Sequence, residues 1–242
     1  MPLNVSEKLV RAARSLRDGV EELSFDPPVT HVYNPLVYAW NSHRAYLAKS
    51  GPGRKKVLFL GMNPGPFGMA QTGVPFGEVR AVRDWMKIAV PVEKPPREHA
   101  RRPILGLECL RSEVSGRRLW GLFARRFGSA EEFFEGHFVA NYCPLVFLEA
   151  SGCNRTPDKL PARDQAPLTE RCDEHLRRLV EILQPDWLIG IGRFATERGR
   201  AVIGEDSLRI GTILHPSPAS PAANRDWEGT VTRQLQLLGV WK

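Results

Sequence analysis

Hydrophobic positions follow two patterns along the chain, and each pattern predicts a different element. Spacings of three and four residues predict amphipathic helices, whereas short continuous apolar runs that end in Gly or Pro predict buried strands. The helical pattern covers residues 5–23, 78–88, 119–127, 129–134, 167–183, 193–202 and 222–238, and it is weaker over 32–47. The strand pattern covers residues 55–60, 138–147, 186–192 and 208–214.

The predicted strands alternate with predicted helices, and this order indicates a parallel sheet that is covered on both faces. Residues 25–31 are rich in proline and are predicted to be extended. Residues 91–118 mix Pro, Gly and charge without periodicity, so they are predicted to form a long loop. We therefore expect an α/β protein with a central, mainly parallel, four-stranded sheet and a single domain over residues 1–242.

The composition is that of an ordinary globular protein, with 42% hydrophobic and 25% charged residues. No apolar run approaches the roughly 20 residues that span a bilayer, and the N-terminal segment is amphipathic without a signal-peptide core. We therefore expect an intracellular protein without a membrane partner. It would act in the cytoplasm and nucleoid of a bacterium or in the nucleus of a eukaryote.

The chain is basic, with 34 Lys and Arg against 27 Asp and Glu, a net charge of +7 and a pI near 9.5. Arginine is the commoner base and offers a bidentate fork to phosphate, so this charge suits a polyanionic partner. A generic basic surface explains the charge equally well. Arg80 and Arg83 likewise face either phosphate or solvent.

The cysteines give no sign of a metal site. They lie at positions 109, 143, 153 and 172 and form no C-x-x-C pair, and their spacing matches neither zinc ligands nor a ferredoxin-like cluster. We expect the protein to need neither a metal nor a cofactor.

The stretch GMNPGPFGMAQTGVPFG at residues 61–77 follows the first predicted strand. Its glycines and prolines allow tight turns and a close approach of the backbone to a ligand. Phe67 and Phe76 either stack on an aromatic base or fill the core. The stretch lacks the GK[ST] of a Walker A loop and is not a dinucleotide fingerprint.

Asn63, Asn141 and His215 lie at or near the carboxyl ends of predicted strands, where open α/β sheets bind ligands, so one site is expected to hold all three. An amide suits the orientation of a water or the recognition of a base edge, and a histidine suits donation to a developing anion. A loop-capping Asn and a structural His are the alternatives. Neither loop, 61–77 or 215–221, contains Asp or Glu, so we expect a polar, neutral site.

These motifs resemble the single-strand-selective monofunctional uracil-DNA glycosylases. The resemblance extends over most of the chain from about residue 54 onward. It rests on GMNPGPFGMAQTGVPFG at 61–77, LGLEC at 105–109, SEVSG at 112–116, LWGLF at 119–123, NYCPL at 141–145 and HPSP at 215–218.

The resemblance implies a single α/β/α sandwich domain that flips a damaged base out of DNA and hydrolyses its N-glycosidic bond without metal or lyase activity. It implies that Asn63 positions the attacking water and that His215 stabilises negative charge on the departing uracil. Asn141 would bind the pairing edge of the base and Phe76 would stack on it.

The resemblance also implies a role for Gly65, with Met62, in shaping the space beside C5, where substituents such as hydroxymethyl would fit. The substrate would be single-stranded or double-stranded DNA that contains uracil or a related lesion, and the protein would act as a monomer.

The loop after the last strand departs from the family. Pro216, Ser217 and Pro218 match, but Ala219 stands where the family often presents a large basic residue that wedges into the duplex. Arg225, or the loop at 91–118, is the candidate substitute.

Two other functions stay open at this point. A glycosylase of the same superfamily could prefer another deaminated base, such as xanthine or hypoxanthine. A nucleic-acid-binding protein without catalysis would also explain the charge, although Asn63 and His215 argue against it.

Overall fold

The structure is a computed structural model, and it describes residues 3–204 and 207–242. Within these ranges the strands form two separate sheets. The strands in chain order are β1 (Val29–Tyr33), β2 (Val57–Gly61), β3 (His137–Asn141), β4 (Val146–Glu149), β5 (Asn154–Arg155), β6 (Trp187–Ile191) and β7 (Arg209–Ile213). The central sheet has the order β3-β2-β6-β7 and all of its pairings are parallel, which confirms the predicted four-stranded parallel sheet.

Helices surround the central sheet. They are α1 (Val5–Glu21), α2 (Pro35–Tyr38), α3 (Trp40–Ala48), α4 (Met69–Thr72), α5 (Val114–Phe127), α6 (Ala130–Gly136), α7 (Ala162–Leu183), α8 (Arg193–Ile203) and α9 (Pro221–Leu237). Helix α1 packs against α7 and α3, α8 packs against β6 and β7, and α9 contacts β7 and α5. The architecture is an α/β/α sandwich, as expected. Among the described residues, no helix has the length and apolarity that a bilayer crossing requires.

The strands of the central sheet are buried on both faces, which explains their continuous apolar sequence. Each residue of β2 and β3 is buried. The outer helices show the opposite pattern. Helix α1 begins with a capping box between Asn4 and Glu7 and then buries one stripe of residues against the core, including Leu9 and Leu16.

The second sheet was not predicted. It is antiparallel, with the order β1-β4-β5. The single strand predicted over residues 138–147 is wrong, because β3 ends at Asn141 and the chain then turns through Pro144 to enter β4 in the other sheet. A proline has no N–H for a sheet ladder, so it interrupts the apolar run.

Three predicted helix boundaries also differ from the structure. Residues 32–47 contain the end of β1 followed by α2 and α3, because Asn34 caps a new helix that has proline in its first turn. Residues 78–88 contain a π-type turn at Ala81–Trp85. Helix α7 begins at Ala162, five residues before the predicted start, and includes Pro167.

The segment 91–118 is mostly irregular, as predicted, but its last residues belong to α5. That helix starts at Val114, where the Glu113 side chain accepts a hydrogen bond from the Ser115 amide. A short 3-10 turn at Gly106–Glu108 lies earlier in the segment. The early start of α5 matters for the site described next.

Candidate active site

A cavity of about 430 Å³ lies at the carboxyl ends of the four central strands. The order of these strands reverses at β2, since β3 lies on one side of it and β6 on the other, and open α/β sheets bind ligands at such a switch point. The lining residues are Met62, Asn63, Pro64, Gly65, Gly68, Met69, Phe76, Glu113, Ser115, Asn141, Asn154, Thr156, Ile191, Gly192, Arg193, Phe194, His215 and Ser217.

The structure brings together the three polar residues that the sequence places at strand ends. Asn63 follows β2 by two residues, Asn141 is the last residue of β3, and His215 follows β7 by two residues. Met62, Gly65 and Phe76 line the same cavity. The site residues expected around a base therefore share one space.

Two carbonyl groups orient the Asn63 amide. Its Nδ2 donates to the Leu145 carbonyl at 3.2 Å and to the Pro64 carbonyl at 3.4 Å. The loop after β3 is tied to the same place, because the Cys143 amide donates to the Met62 carbonyl at 2.9 Å. With Nδ2 engaged in this way, Oδ1 of Asn63 is the atom left to accept a hydrogen bond from a water.

Asn141 is 8% exposed, and the polar atoms of its side chain have few partners within the protein. Its Nδ2 lies 3.4 Å from the sulfur of Met69, which is a weak acceptor. Its Oδ1 is buried and has no hydrogen-bond partner in the described part of the chain. Buried polar atoms are normally paired, so an orphaned one that lines a cavity indicates a ligand.

The hydrogen bond to Nδ1 of His215 determines its tautomer. The backbone amide of Ser217 donates to that nitrogen at 3.1 Å, so Nδ1 is an acceptor and the ring proton of the neutral imidazole lies on Nε2. Burial lowers the pKa of His215 below its usual value of 6.5. The ring is therefore a neutral donor through Nε2 at physiological pH.

Phe76 occupies a strained backbone position beside His215. Its φ is 53°, in the left-handed region that a bulky residue rarely adopts, and its ring centroid lies 6.2 Å from that of His215. Gly116 of α5 permits this arrangement, because a Cβ there would lie 2.0 Å from the Phe76 carbonyl oxygen. Strain of this kind concentrates at functional sites, where the surrounding structure maintains it.

Glu113 corrects the expectation of a neutral site. It caps the start of α5, lines the cavity, and has a pKa that burial raises from its usual value. A Cβ on Gly65 would lie 2.6 Å from Oε2 of Glu113, and a Cβ on Gly68 would lie 3.0 Å from its Cγ. The two glycines therefore make room for this carboxyl group. Gly65 itself has no left-handed φ, so crowding explains it better than a dihedral requirement.

Sequence reasoning assigned no role to Glu113, although it lies in the SEVSG motif, because it comes from a segment predicted to be loop. Asn154 was missed as well. It belongs to β5 in the second sheet, donates from Nδ2 to the Pro64 carbonyl at 3.2 Å, and has a buried Oδ1 without a partner among the described residues. Asn154 could have been found only by predicting the second sheet, which carries no clear sequence signal at β5.

Of the residues expected to touch DNA, Ser217 alone lines the cavity. Pro216 is buried, whereas Pro218, Ala219 and Arg225 are exposed and lie outside the cavity wall. The Ala219 amide donates to Oγ of Ser217 at 3.1 Å, which closes a turn at the tip of the loop.

Arg118 of α5 holds this loop in place and was also missed. Its Nη1 donates to the carbonyls of Pro216 at 3.0 Å and Ser217 at 3.3 Å, and its Nη2 donates to Oδ1 of Asn224 at 2.9 Å. The guanidinium thus connects the second turn of α5 to the loop that carries His215.

Comparisons with known proteins agree with this geometry. A model of the uracil DNA glycosylase superfamily matches residues 48–236. The single-strand selective monofunctional uracil DNA glycosylase of Bos taurus is 47% identical over 99% of this chain and 89% of its own length. That of Rattus norvegicus is 48% identical over 94% of this chain and 87% of its own length.

A crystal structure of wild-type SMUG2 from Pedobacter heparinus has the same fold. It aligns with a TM-score of 0.64 over 94% of this chain and 97% of its own, at 18% identity. The extent of the family match and the identity to the mammalian proteins decide the classification. The chain belongs to the uracil DNA glycosylase superfamily and, within it, to the single-strand selective monofunctional uracil DNA glycosylases.

Proposed function

We propose that this protein flips uracil out of DNA into the cavity between the strand ends, with Asn63 and His215 as its catalytic side chains. The protein is a DNA repair glycosylase that excises uracil by hydrolysis and has no lyase activity. The observation that carries the residue assignment is that Asn63, Asn141 and His215 line one cavity at the carboxyl ends of three parallel strands.

Asn63 positions the attacking water. Its amide is oriented by two carbonyl acceptors, so Oδ1 accepts a hydrogen bond from the water and directs the water oxygen at the sugar C1′. The new bond forms between this oxygen and C1′, and the bond from C1′ to N1 of the base breaks, with its electron pair leaving on the base. The proton that the water loses neutralises the departed uracil anion, so the products are the abasic sugar and neutral uracil. An oriented reactant lowers the barrier without a nucleophilic side chain.

His215 stabilises the departing base. Uracil leaves as an anion, and the neutral imidazole donates from Nε2 to the oxygen on which charge develops. A preorganised donor in a site that excludes water is effective because it needs no reorganisation during the reaction. The bond from the Ser217 amide to Nδ1 supports this role, since it keeps the proton on the opposite nitrogen.

Asn141 and Phe76 recognise the base. The unpaired Oδ1 of Asn141 suits the N3–H of uracil, and its Nδ2 suits the O4 oxygen, a pattern that cytosine does not match. Phe76 stacks on the ring. Gly65 and Met62 border the C5 position, which leaves room for a 5-hydroxymethyl group, so we include 5-hydroxymethyluracil among the substrates.

The loop of Pro216, Ser217, Pro218 and Ala219 contacts the DNA strand beside the flipped nucleotide, and Arg225 contributes positive charge at the start of α9. The net charge of +7 supports phosphate contacts over a wider surface. We propose that the chain acts as a monomer with a single domain, on both single-stranded and double-stranded DNA, inside the cell where DNA is kept.

Oligonucleotides that contain uracil, 5-hydroxymethyluracil, xanthine or hypoxanthine, each tested single-stranded and in duplex, examine this proposal directly. We expect excision of the first two bases, with an abasic site that is cleaved only after alkali treatment. Faster excision of xanthine or hypoxanthine than of uracil would contradict the assigned base contacts. Asn63→Ala protein serves as the inactive control.

A further inference from the structure

Leu110 is an apolar side chain that the fold leaves in solvent. It is 99% exposed, the highest value among the large hydrophobic residues in the described ranges. Contacts on both sides fix its position. Cys109 is buried, with its thiol 3.7 Å from the Arg111 carbonyl, and the Arg111 guanidinium lies 4.4 Å from the ring centroid of Phe67. The exposure of Leu110 is therefore a feature of an anchored turn.

This turn lies close to the cavity, on a neighbouring surface groove that Leu110 lines. Glu113, which lines the cavity, follows Leu110 by three residues, and three residues span at most about 10 Å. Phe67, which Arg111 covers, belongs to the loop after β2. The next helix carries Arg118, which binds the Pro216 and Ser217 carbonyls. The turn of Leu110 therefore directly precedes the helix whose second turn holds the loop of His215.

The surroundings of Leu110 suit a nucleic acid strand. Arg102 lies 5.5 Å from the centroid of the same Phe67 ring that Arg111 contacts, and the exposed Arg117 lines the same surface groove as Leu110. The guanidinium groups can bind phosphates of a DNA strand, and burial of the exposed Leu110 side chain against that strand is favourable. Proteins that open a duplex insert such apolar side chains between base steps.

The loop that carries His215 offers no side chain of this size. Ala219 at its tip ends in a methyl group, and Arg225 lies on α9 outside the cavity wall. We propose that Leu110 is the wedge of this protein: it enters the base stack of duplex DNA next to the flipped nucleotide. The proposal rests on the base flipping described above, and it assigns strand opening to the segment before α5.

Leu110→Ala tests this inference, and Leu237→Ala is the matched control. Leu237 is 89% exposed and lies at the far end of α9, so the same substitution there removes a similarly exposed side chain that does not line the cavity. Uracil excision is measured in single turnovers on single-stranded and duplex substrates. A 2-aminopurine placed beside the uracil reports unstacking through its fluorescence.

We expect Leu110→Ala to lower the ratio of duplex to single-strand rates about tenfold, because the unstacked state loses its apolar filler. The 2-aminopurine fluorescence should fall together with this ratio. Leu110→Phe should restore both the ratio and the fluorescence, and Leu237→Ala should change neither of them. An unchanged ratio, or a wild-type protein that is inactive on duplex, would overturn the wedge. Activity on single strands would persist in either case, whereas its absence would refute the proposed function itself.

Discussion

The backbone amide of Ser217 donates a hydrogen bond to Nδ1 of His215 at 3.1 Å, and this contact determines which nitrogen of the ring carries a proton. The chain makes the contact within three residues, across Pro216. Arg118 fixes the same turn through the carbonyls of Pro216 and Ser217. The tautomer of the proposed catalytic histidine is therefore set by backbone geometry that α5 supports.

Because burial lowers the pKa of His215 below 6.5, we expect the imidazole to be mostly neutral at pH 6.5 and above. A neutral ring keeps the Nε2 proton that the mechanism uses, so acid should not activate the enzyme. Nitrogen NMR of labelled protein should find the Nε2–H tautomer at pH 7 and a titration midpoint under 6.5. A midpoint at or above that value would argue for a cationic donor.

Asn63→Ala should reduce single-turnover excision of uracil by roughly 100-fold or more, because the water loses its orientation. Binding of uracil-containing DNA should stay within a fewfold of wild type, since few phosphate contacts are lost. Gel-shift titration gives the binding and rapid quench gives the rate. A variant that retains at least a third of the wild-type rate would disprove the role of Asn63.

Gly65→Tyr in a Glu113→Ala background should remove excision of 5-hydroxymethyluracil while sparing part of the uracil activity. The background removes the carboxyl group that any Cβ at residue 65 would meet, and the ring fills the space proposed for the C5 substituent. Gly65→Ala is the informative companion. Its Cβ meets the Glu113 carboxyl at 2.6 Å, whereas its φ presents no obstacle.

We therefore expect Gly65→Ala to lower both the melting temperature and uracil excision. Adding Glu113→Ala in the same chain should restore both. Loss of both activities together with a lower melting temperature in Gly65→Ala, without rescue by Glu113→Ala, would contradict steric gating by this glycine.

Stability should fall in mild acid because of buried histidines. Burial lowers the pKa of His43 and of His137 from 6.5 to about 4. The unfolded chain binds these protons near pH 6.5, whereas the folded chain binds them only at a lower pH. This contribution to stability is therefore fully present above pH 6.5 and is lost as the pH falls toward 4. Each group contributes a slope of about 1.4 kcal/mol per pH unit in this window.

His137→Phe isolates one of these contributions. The His137 ring packs between Phe133 and Phe127, and its Nδ1 is buried without a partner in the described residues, so an apolar ring suits the site. Urea unfolding at pH 7, 6 and 5 gives the free energy of unfolding at each pH. Its slope against pH should be smaller in the variant, by the contribution of one proton. Equal slopes in the two proteins would rule out His137 as a source.

Much of the architecture follows from local sequence pattern. The four central strands are continuous apolar runs because parallel strands are buried on both faces, and this makes them recognisable one at a time. Parallel strands also bring their carboxyl ends to one edge of the sheet. For this reason the meeting of Asn63, Asn141 and His215 could be predicted without coordinates.

The second sheet and the remainder of the site depend on contacts between distant segments. Strand β5 is only two residues long, and its pairing with β4 has no periodic signal of its own. Glu113 stands fifty positions after Asn63, in a stretch whose composition indicates loop, and it reaches the cavity because α5 begins at Val114.

The sequence by itself determined the class of fold, the central sheet and the polar residues at its strand ends, since each depends on neighbours within a few positions. The tertiary structure alone decided the carboxyl group beside Gly65, the left-handed backbone of Phe76 and the tautomer of His215. Burial and hydrogen bonding to the surrounding protein create these properties, and residue types and spacing do not encode them.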